Sequence, residues 1–207
     1  MHNKLQYISQ GNTIEEQLSN IQNVLDHGCK WVQLRFKNTN AQDFYTVAEQ
    51  TKVLCQSYQA TFIINDKVDL AYQLDADGVH LGLDDMPIKA ARNILGNKKI
   101  IGGTANTWEH IVQRTHENCT YIGLGPFRFT PTKEKLSPIL GLEGYEKLLQ
   151  KMKQENIFTP VIAIGGITLE DIDLLIEIGL YGVALSGLLT QNPSLITTLN
   201  EKIHVTI

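Results

Sequence analysis

The chain has 207 residues, 43% hydrophobic and 19% charged, and a net charge of −4. That is enough for one domain with a sizeable core, and the mildly acidic balance, with no long run of Lys or Arg, excludes a nucleic-acid surface. No stretch approaches the ~20 apolar residues of a membrane helix and the opening Met1-His2-Asn3-Lys4-Leu5 has no apolar signal core, so neither membrane spanning nor export is expected.

Short β-rich runs alternate with runs of helical periodicity. The first strand is expected over residues 5–9. Ile14, Leu18, Ile21 and Leu25 follow at helical spacing, with Thr13 and Glu16 as a capping box and Gly28 at the helix end. Cys29 comes next. With Cys55 and Cys119 it makes an odd, widely spaced set without a CxxC, which reads as buried, reduced thiols in a cytoplasmic protein.

The second strand, residues 31–37, alternates. Val32, Leu34 and Phe36 face the helices, while Gln33, Arg35 and Lys37 share the face toward the barrel axis. Two cations there need an anionic partner, because unpaired buried charge is costly. The plainer reading is that they pair with nearby carboxylates or leave the strand into solvent. A second helix follows Asn40, its plausible cap, and carries Phe44, Val47, Ala48, Leu54, Cys55 and Tyr58.

The third strand, 61–65, ends in Asn65-Asp66. The fourth, 78–81, leads to Asp85. Either aspartate could serve only as a turn or helix cap, before Val68 and before Met86-Pro87 respectively. Together they end adjacent strands beside Arg35 and Lys37, which reads as a clamp for Mg²⁺ and a diphosphate. His80 points to the axis between two glycines; a satisfied core histidine is at least as good a reading as a site residue.

The fifth strand, 99–103, is followed by the hydroxyl of Thr104 and by Asn106, which reads as a cap. The sixth, 121–125, opens a long connection, residues 126–138, holding Phe127, Phe129 and a hydroxyl–lysine cluster. A loop of that length in a compact domain is usually functional, and closure over bound substrate is expected. The seventh strand, 161–164, ends in Gly165-Gly166 before a helix running from Thr168, with Asp171 three residues on, to Gly179. The eighth, 182–186, ends in Ser186-Gly187. Glycines after strand seven and Ser-Gly after strand eight suit the usual phosphate site of such barrels, although turn geometry alone would also explain the glycines.

Connections this long make the strands parallel. Eight of them, with no GxGxxG after the first (Ser9-Gln10-Gly11-Asn12), favour a closed barrel over a doubly wound sheet. The fold class is therefore α/β, a single (β/α)8 TIM barrel over residues 1–207. Two anion sites, over strands two to four and over strands seven and eight, suggest two phosphorylated substrates meeting across the barrel mouth.

Along nearly its whole length the chain resembles the thiamine-phosphate synthase family. The resemblance is carried by Gln33-Leu34-Arg35-Phe36-Lys37, Ile64-Asn65-Asp66, Ala76-Asp77-Gly78-Val79-His80-Leu81-Gly82 with Asp85, Gly123-Leu124-Gly125-Pro126 with Thr130-Pro131-Thr132-Lys133, and Ile164-Gly165-Gly166-Ile167. It implies transfer of a hydroxymethylpyrimidine from its diphosphate to a thiazole phosphate, carboxylated or not. By the same resemblance Gln33, Leu34, Arg35, Phe36, Lys37, Asn65, Thr104 and Lys133 meet the pyrimidine diphosphate, with Arg35, Lys37 and Lys133 catalytic. Asp66 and Asp85 are the implied Mg²⁺ ligands, and Thr130, Pro131, Thr132, Gly166, Leu185 and Ser186 the implied thiazole-phosphate contacts. Partners are small molecules, not nucleic acid or membrane, and a homo-oligomer is left open. The chain departs from the family's Ser-x-His after strand five, having Thr104 and Asn106. A thiazole tautomerase is the nearest alternative, but it would use a histidine there and generally lacks the full diphosphate clamp. A non-catalytic binding protein is the other.

Overall fold

The computed structural model describes residues 3–129 and 138–204, with His204 described in its backbone only. Eight parallel strands close into one barrel in sequence order: β1 (Leu5–Ile8), β2 (Trp31–Leu34), β3 (Thr61–Asn65), β4 (Gly78–Leu81), β5 (Ile100–Ala105), β6 (Tyr121–Leu124), β7 (Val161–Ile164) and β8 (Gly182–Leu185). The helices are α1 (Ile14–Asp26), α2 (Ala41–Ser57), α3 (Val68–Gln73), α4 (Ile88–Leu95), α5 (Trp108–His116), α6 (Gly141–Gln154), α7 (Ile172–Glu177), α8 (Gly187–Gln191) and α9 (Leu195–His204). The expected TIM barrel is the observed fold.

Strand alternation sorts side chains into two cores. Val32, Leu34, Ile64, Val79, Ile101, Ile122, Ala163 and Val183 lie between the strands and the helices. Ile8, Trp31, Ile63, Tyr121, Ile162 and Ala184 fill the barrel. The interior packs large residues against glycines. A Cβ on Gly102 would stand 2.2 Å from the Tyr121 ring, and one on Gly123 would stand 2.8 Å from His80 Cε1. Tyr121 and Trp31 meet edge to face with ring centroids 5.0 Å apart. This apolar plug fills the amino end and middle of the barrel. Gln33, Asn65, His80 and Thr104 form the layer above it, so the polar groups near the mouth gather at the carboxyl ends of the strands, while Gln6 is buried below.

Several local expectations are corrected. β2 stops at Leu34 rather than residue 37, because the Arg35 N–H leaves the ladder for Ser9 Oγ at 2.9 Å. Thr13 caps α1, but Glu16 closes onto the N–H of Asn12, not of Thr13, so the box is displaced by one residue. Thr107, not Asn106, caps α5. The capping box of Thr168 and Asp171 is present, but the turn it opens is 3-10 before α7 begins. Neither Asp66 nor Asp85 caps a helix: α3 and α4 are preceded by Lys67 and Pro87 without side-chain caps.

Candidate active site at the barrel mouth

The site grows out of the polar layer. Gln33, 3% exposed, donates from Nε2 to Asn65 Oδ1 at 2.8 Å, tying β2 to β3. Next along the chain, Asp66 takes a positive φ of 64° and its N–H bonds to His80 O at 3.0 Å. That backbone conformation is uncommon outside glycine and tolerated by aspartate. The Asp85 carboxylate, in turn, accepts from the Gly82 N–H at 2.6 Å.

Burial, then the hydrogen bond and charge of Asp85, push Asp66 up to about 7, while Lys37 and Arg35 act in the opposite sense. Burial pulls the Arg35 guanidinium down, and Asp66 opposes it. Asp66 is thus the group on which Asp85, Lys37 and Arg35 all act, with Arg35 half-buried and Lys37 exposed. Two carboxyl groups at hydrogen-bonding range, beside cations suited to a phosphate, are a donor set that fits a hard divalent cation completed by substrate oxygens. No group of three or more His, Cys, Asp or Glu able to hold a metal occurs among the described residues, so the protein's share would be these two carboxylates.

A hydrogen-bonded column runs up the barrel axis into this layer. Gln6 Nε2 donates to Tyr121 Oη at 3.2 Å. Tyr121, whose buried phenol is held well above its ordinary pKa, lies 3.0 Å from His80 Nδ1. His80 Nε2 lies 3.0 Å from Thr104 Oγ1. The imidazole thus bridges Tyr121 and Thr104, one ring nitrogen to each hydroxyl. His80 is a satisfied core histidine that also orients a site residue. Asn106 Nδ2 donates to the carbonyl of Gly125, linking the ends of β5 and β6.

On the opposite rim, Gly165 and Gly166 have φ of 96° and 68°. A Cβ at either would stand 2.8 Å from Pro126 or Arg128, so turn geometry and the crossing of residues 126–129 already account for both glycines. What the turn offers a ligand is its exposed main chain at Gly166. Ser186 anchors the neighbouring strand end by donating to Ile8 O at 2.7 Å. Arg128 pairs with Asp171, at 2.6 Å from Nη2 to Oδ1, and also donates to Gly166 O at 3.2 Å.

Leu34, Phe36 and Leu185 turn their side chains into the outer core, so their contribution to a ligand is main chain. Thr130, Pro131, Thr132 and Lys133 lie outside the described residues, as does most of the loop expected to close. Tyr121, Arg128 and Arg114 were not singled out from the sequence. A tyrosine opening a strand reads as core, and an arginine on a loop or amphipathic helix reads as surface.

A closed β/α barrel with cations and carboxylates gathered over β2–β4 and an exposed main-chain turn over β7–β8 defines a barrel enzyme for phosphorylated substrates. The chain belongs to the thiamine monophosphate synthase family, whose sequence model matches residues 5–189. It is 62% identical over 206 residues to the thiamine-phosphate synthase of Flavobacterium psychrophilum, covering 98% of this chain and 100% of that one. It is 60% identical over 210 residues to that of Flavobacterium johnsoniae, covering 100% and 99%. Among solved structures, the thiamine phosphate pyrophosphorylase of Pyrococcus furiosus superposes with a TM-score of 0.83 at 27% identity, covering 97% of this chain and 96% of that one.

Proposed function

We propose that the chain is a transferase that joins a hydroxymethylpyrimidine, delivered as its diphosphate, to the ring nitrogen of a thiazole phosphate, forming thiamine phosphate. The observation that carries this reading is that Asp85, Lys37 and Arg35 all act on Asp66 just past the end of β3, in a chain matched to its family along nearly its whole length. Asp66 and Asp85 would hold Mg²⁺, which when bound neutralises charge on the diphosphate.

In the reaction the bond from the pyrimidine's methylene carbon to the diphosphate oxygen breaks, and its electron pair leaves with the diphosphate. The electron-rich aminopyrimidine supports the resulting carbocation. The thiazole nitrogen then donates its lone pair to that carbon. No protein base or nucleophile is required. Arg35 and Lys37, with Lys133 from the sequence reading, stabilise the departing charge. Gln33, Asn65 and the hydroxyl of Thr104 orient the pyrimidine, and the Gly166 turn with Ser186 seats the thiazole phosphate. An isomerase acting on the thiazole alone would need a proton-transfer group at the mouth. The histidine that such an isomerase would use after strand five is replaced here by Thr104 and Asn106.

No helix among the described residues is long and apolar enough to cross a membrane, and Cys29, Cys55 and Cys119 are free and buried. Both support a cytoplasmic enzyme. The test is a coupling assay with both substrates, with and without Mg²⁺, following thiamine phosphate and released diphosphate. Mg²⁺-dependent formation of both is expected, and Arg35→Ala should lower turnover by roughly 10²–10³, as for a lost oxyanion donor. Absence of product, or an Arg35→Ala variant as fast as the parent, would overturn the reading.

A further inference from the structure

Arg114 lies on α5, behind the barrel wall, and is 3% exposed. Its guanidinium reaches two strand ends at once. Nε donates to the carbonyl of Thr104 at 3.1 Å and Nη2 to the carbonyl of Gly82 at 2.9 Å, while Nη1 pairs with Glu117 at 2.8 Å. Gly82 follows β4 and Thr104 lies near the end of β5. Both carry groups that face the mouth. The Gly82 N–H is held by the Asp85 carboxylate at 2.6 Å, and the Thr104 hydroxyl tops the axial column.

The wall is shaped to admit this side chain. A Cβ on Gly103 would stand 2.7 Å from both Arg114 Cδ and Cys119 Sγ. Stability alone is a weak reason to bury a cation, since apolar residues of similar volume often do as well. A rigid planar fork bonded to two carbonyls from neighbouring strands does something apolar packing does not, because it fixes where those two strand ends stand relative to each other.

We infer that Arg114 is a positioning residue for the pyrimidine-diphosphate half of the site. It sets the Gly82–Asp85 turn and Thr104 in register while touching no substrate itself. The inference rests on the function proposed above, which puts Asp85 and Thr104 against that substrate.

The test compares Arg114→Ala, Arg114→Lys and Gly103→Ala with the parent, and with Val24→Ala, a core truncation on α1 remote from the mouth. Steady-state constants for each substrate, per folded site, are combined with calorimetric titration of resting protein by inorganic diphosphate and Mg²⁺. Misplacement of about 1 Å can cost about 10²-fold, so Arg114→Ala should lower kcat/KM for the pyrimidine diphosphate by up to about that factor. It should also weaken Mg²⁺–diphosphate binding, with KM for the thiazole phosphate unmoved. Arg114→Lys should fall between, since an ammonium lacks the two-carbonyl fork. Gly103→Ala, which keeps the cation but displaces it, should shift the same constants in the same direction.

Constants that stay put, or that move equally for both substrates as in Val24→Ala, would overturn the inference. If Arg114→Ala does not fold, Arg114→Lys and Gly103→Ala decide it by the same criteria. A parent enzyme that makes no thiamine phosphate would instead refute the proposed function.

Discussion

His80 holds its place because Gly123 has no side chain. The imidazole occupies the space a Cβ would take, 2.8 Å from Cε1, and from there it reaches both Tyr121 and Thr104. Gly123→Ala should therefore push the ring off Thr104. The expected cost is about 1–3 kcal/mol of stability, as for an overpacked core, read in urea unfolding. With it should come a higher KM for the pyrimidine diphosphate at an unchanged KM for the thiazole phosphate. At this scale the sequence was legible where chemistry conflicts with pattern. Arg35 and Lys37 declared themselves because they continue the inward alternation of the second strand, where apolar filler belongs, although the strand itself ends at Leu34 and Lys37 is exposed. Arg114 did not, because its interest depends on Gly82 and Thr104, brought to it by the fold from 32 and 10 residues away.

Elements were legible in their cores more than at their ends. Strand positions followed from apolar runs, while boundaries depended on single hydrogen bonds that side chains redirect, such as Arg35 N–H to Ser9 or Asn12 N–H to Glu16. α9 had not been expected as a separate helix. Its buried Ile196, Leu199 and Ile203 recur at helical spacing, but they follow so closely on α8 that the break at Asn192-Pro193 is hard to see in the sequence alone. Caps contribute measurably. Thr13 accepts from the Glu16 N–H at 3.2 Å, and Thr13→Ala should cost about 1 kcal/mol in chemical denaturation. The reaction itself should be untouched, since α1 begins outside the polar layer of the site.

For the molecule as a whole, closure is the decisive property, and the seam between β8 and β1 carries it. Gly182 sits there: a Cβ would stand 2.1 Å from Lys4 O, a backbone atom that moves only if the two strands part. Gly182→Ala should lower stability by about 3 kcal/mol or more, at the upper end for overpacking. Gly96→Ala, strained by a φ of 79° and a ψ of 175° but with no atom within 4 Å of the new methyl, should cost about 1–3 kcal/mol. Thermal unfolding of the two variants distinguishes seam from turn. The barrel was readable because eight alternations leave few architectures. The layering of plug below and polar residues above followed from period-two alternation once the strands were aligned. The sequence assigns the join between the two half-sites to the loop carrying Thr130–Lys133, which lies outside the described residues.

The three thiols give this barrel a set of internal clocks. Burial pushes Cys29 up to about 11 and Cys119 up to about 12, and raises Cys55 as well. Only the thiolate attacks an alkylating reagent, so near neutral pH each sulfur reacts when its own part of the wall opens. Cys29 reports on the junction of α1 and β2, Cys55 on the end of α2, and Cys119 on the packing of α5 against β5. Labelling rates followed by mass spectrometry would rank three sectors of one molecule by how often each breathes. Cys119, in contact range of the Gly103 wall beside Arg114, would time the sector nearest the reaction.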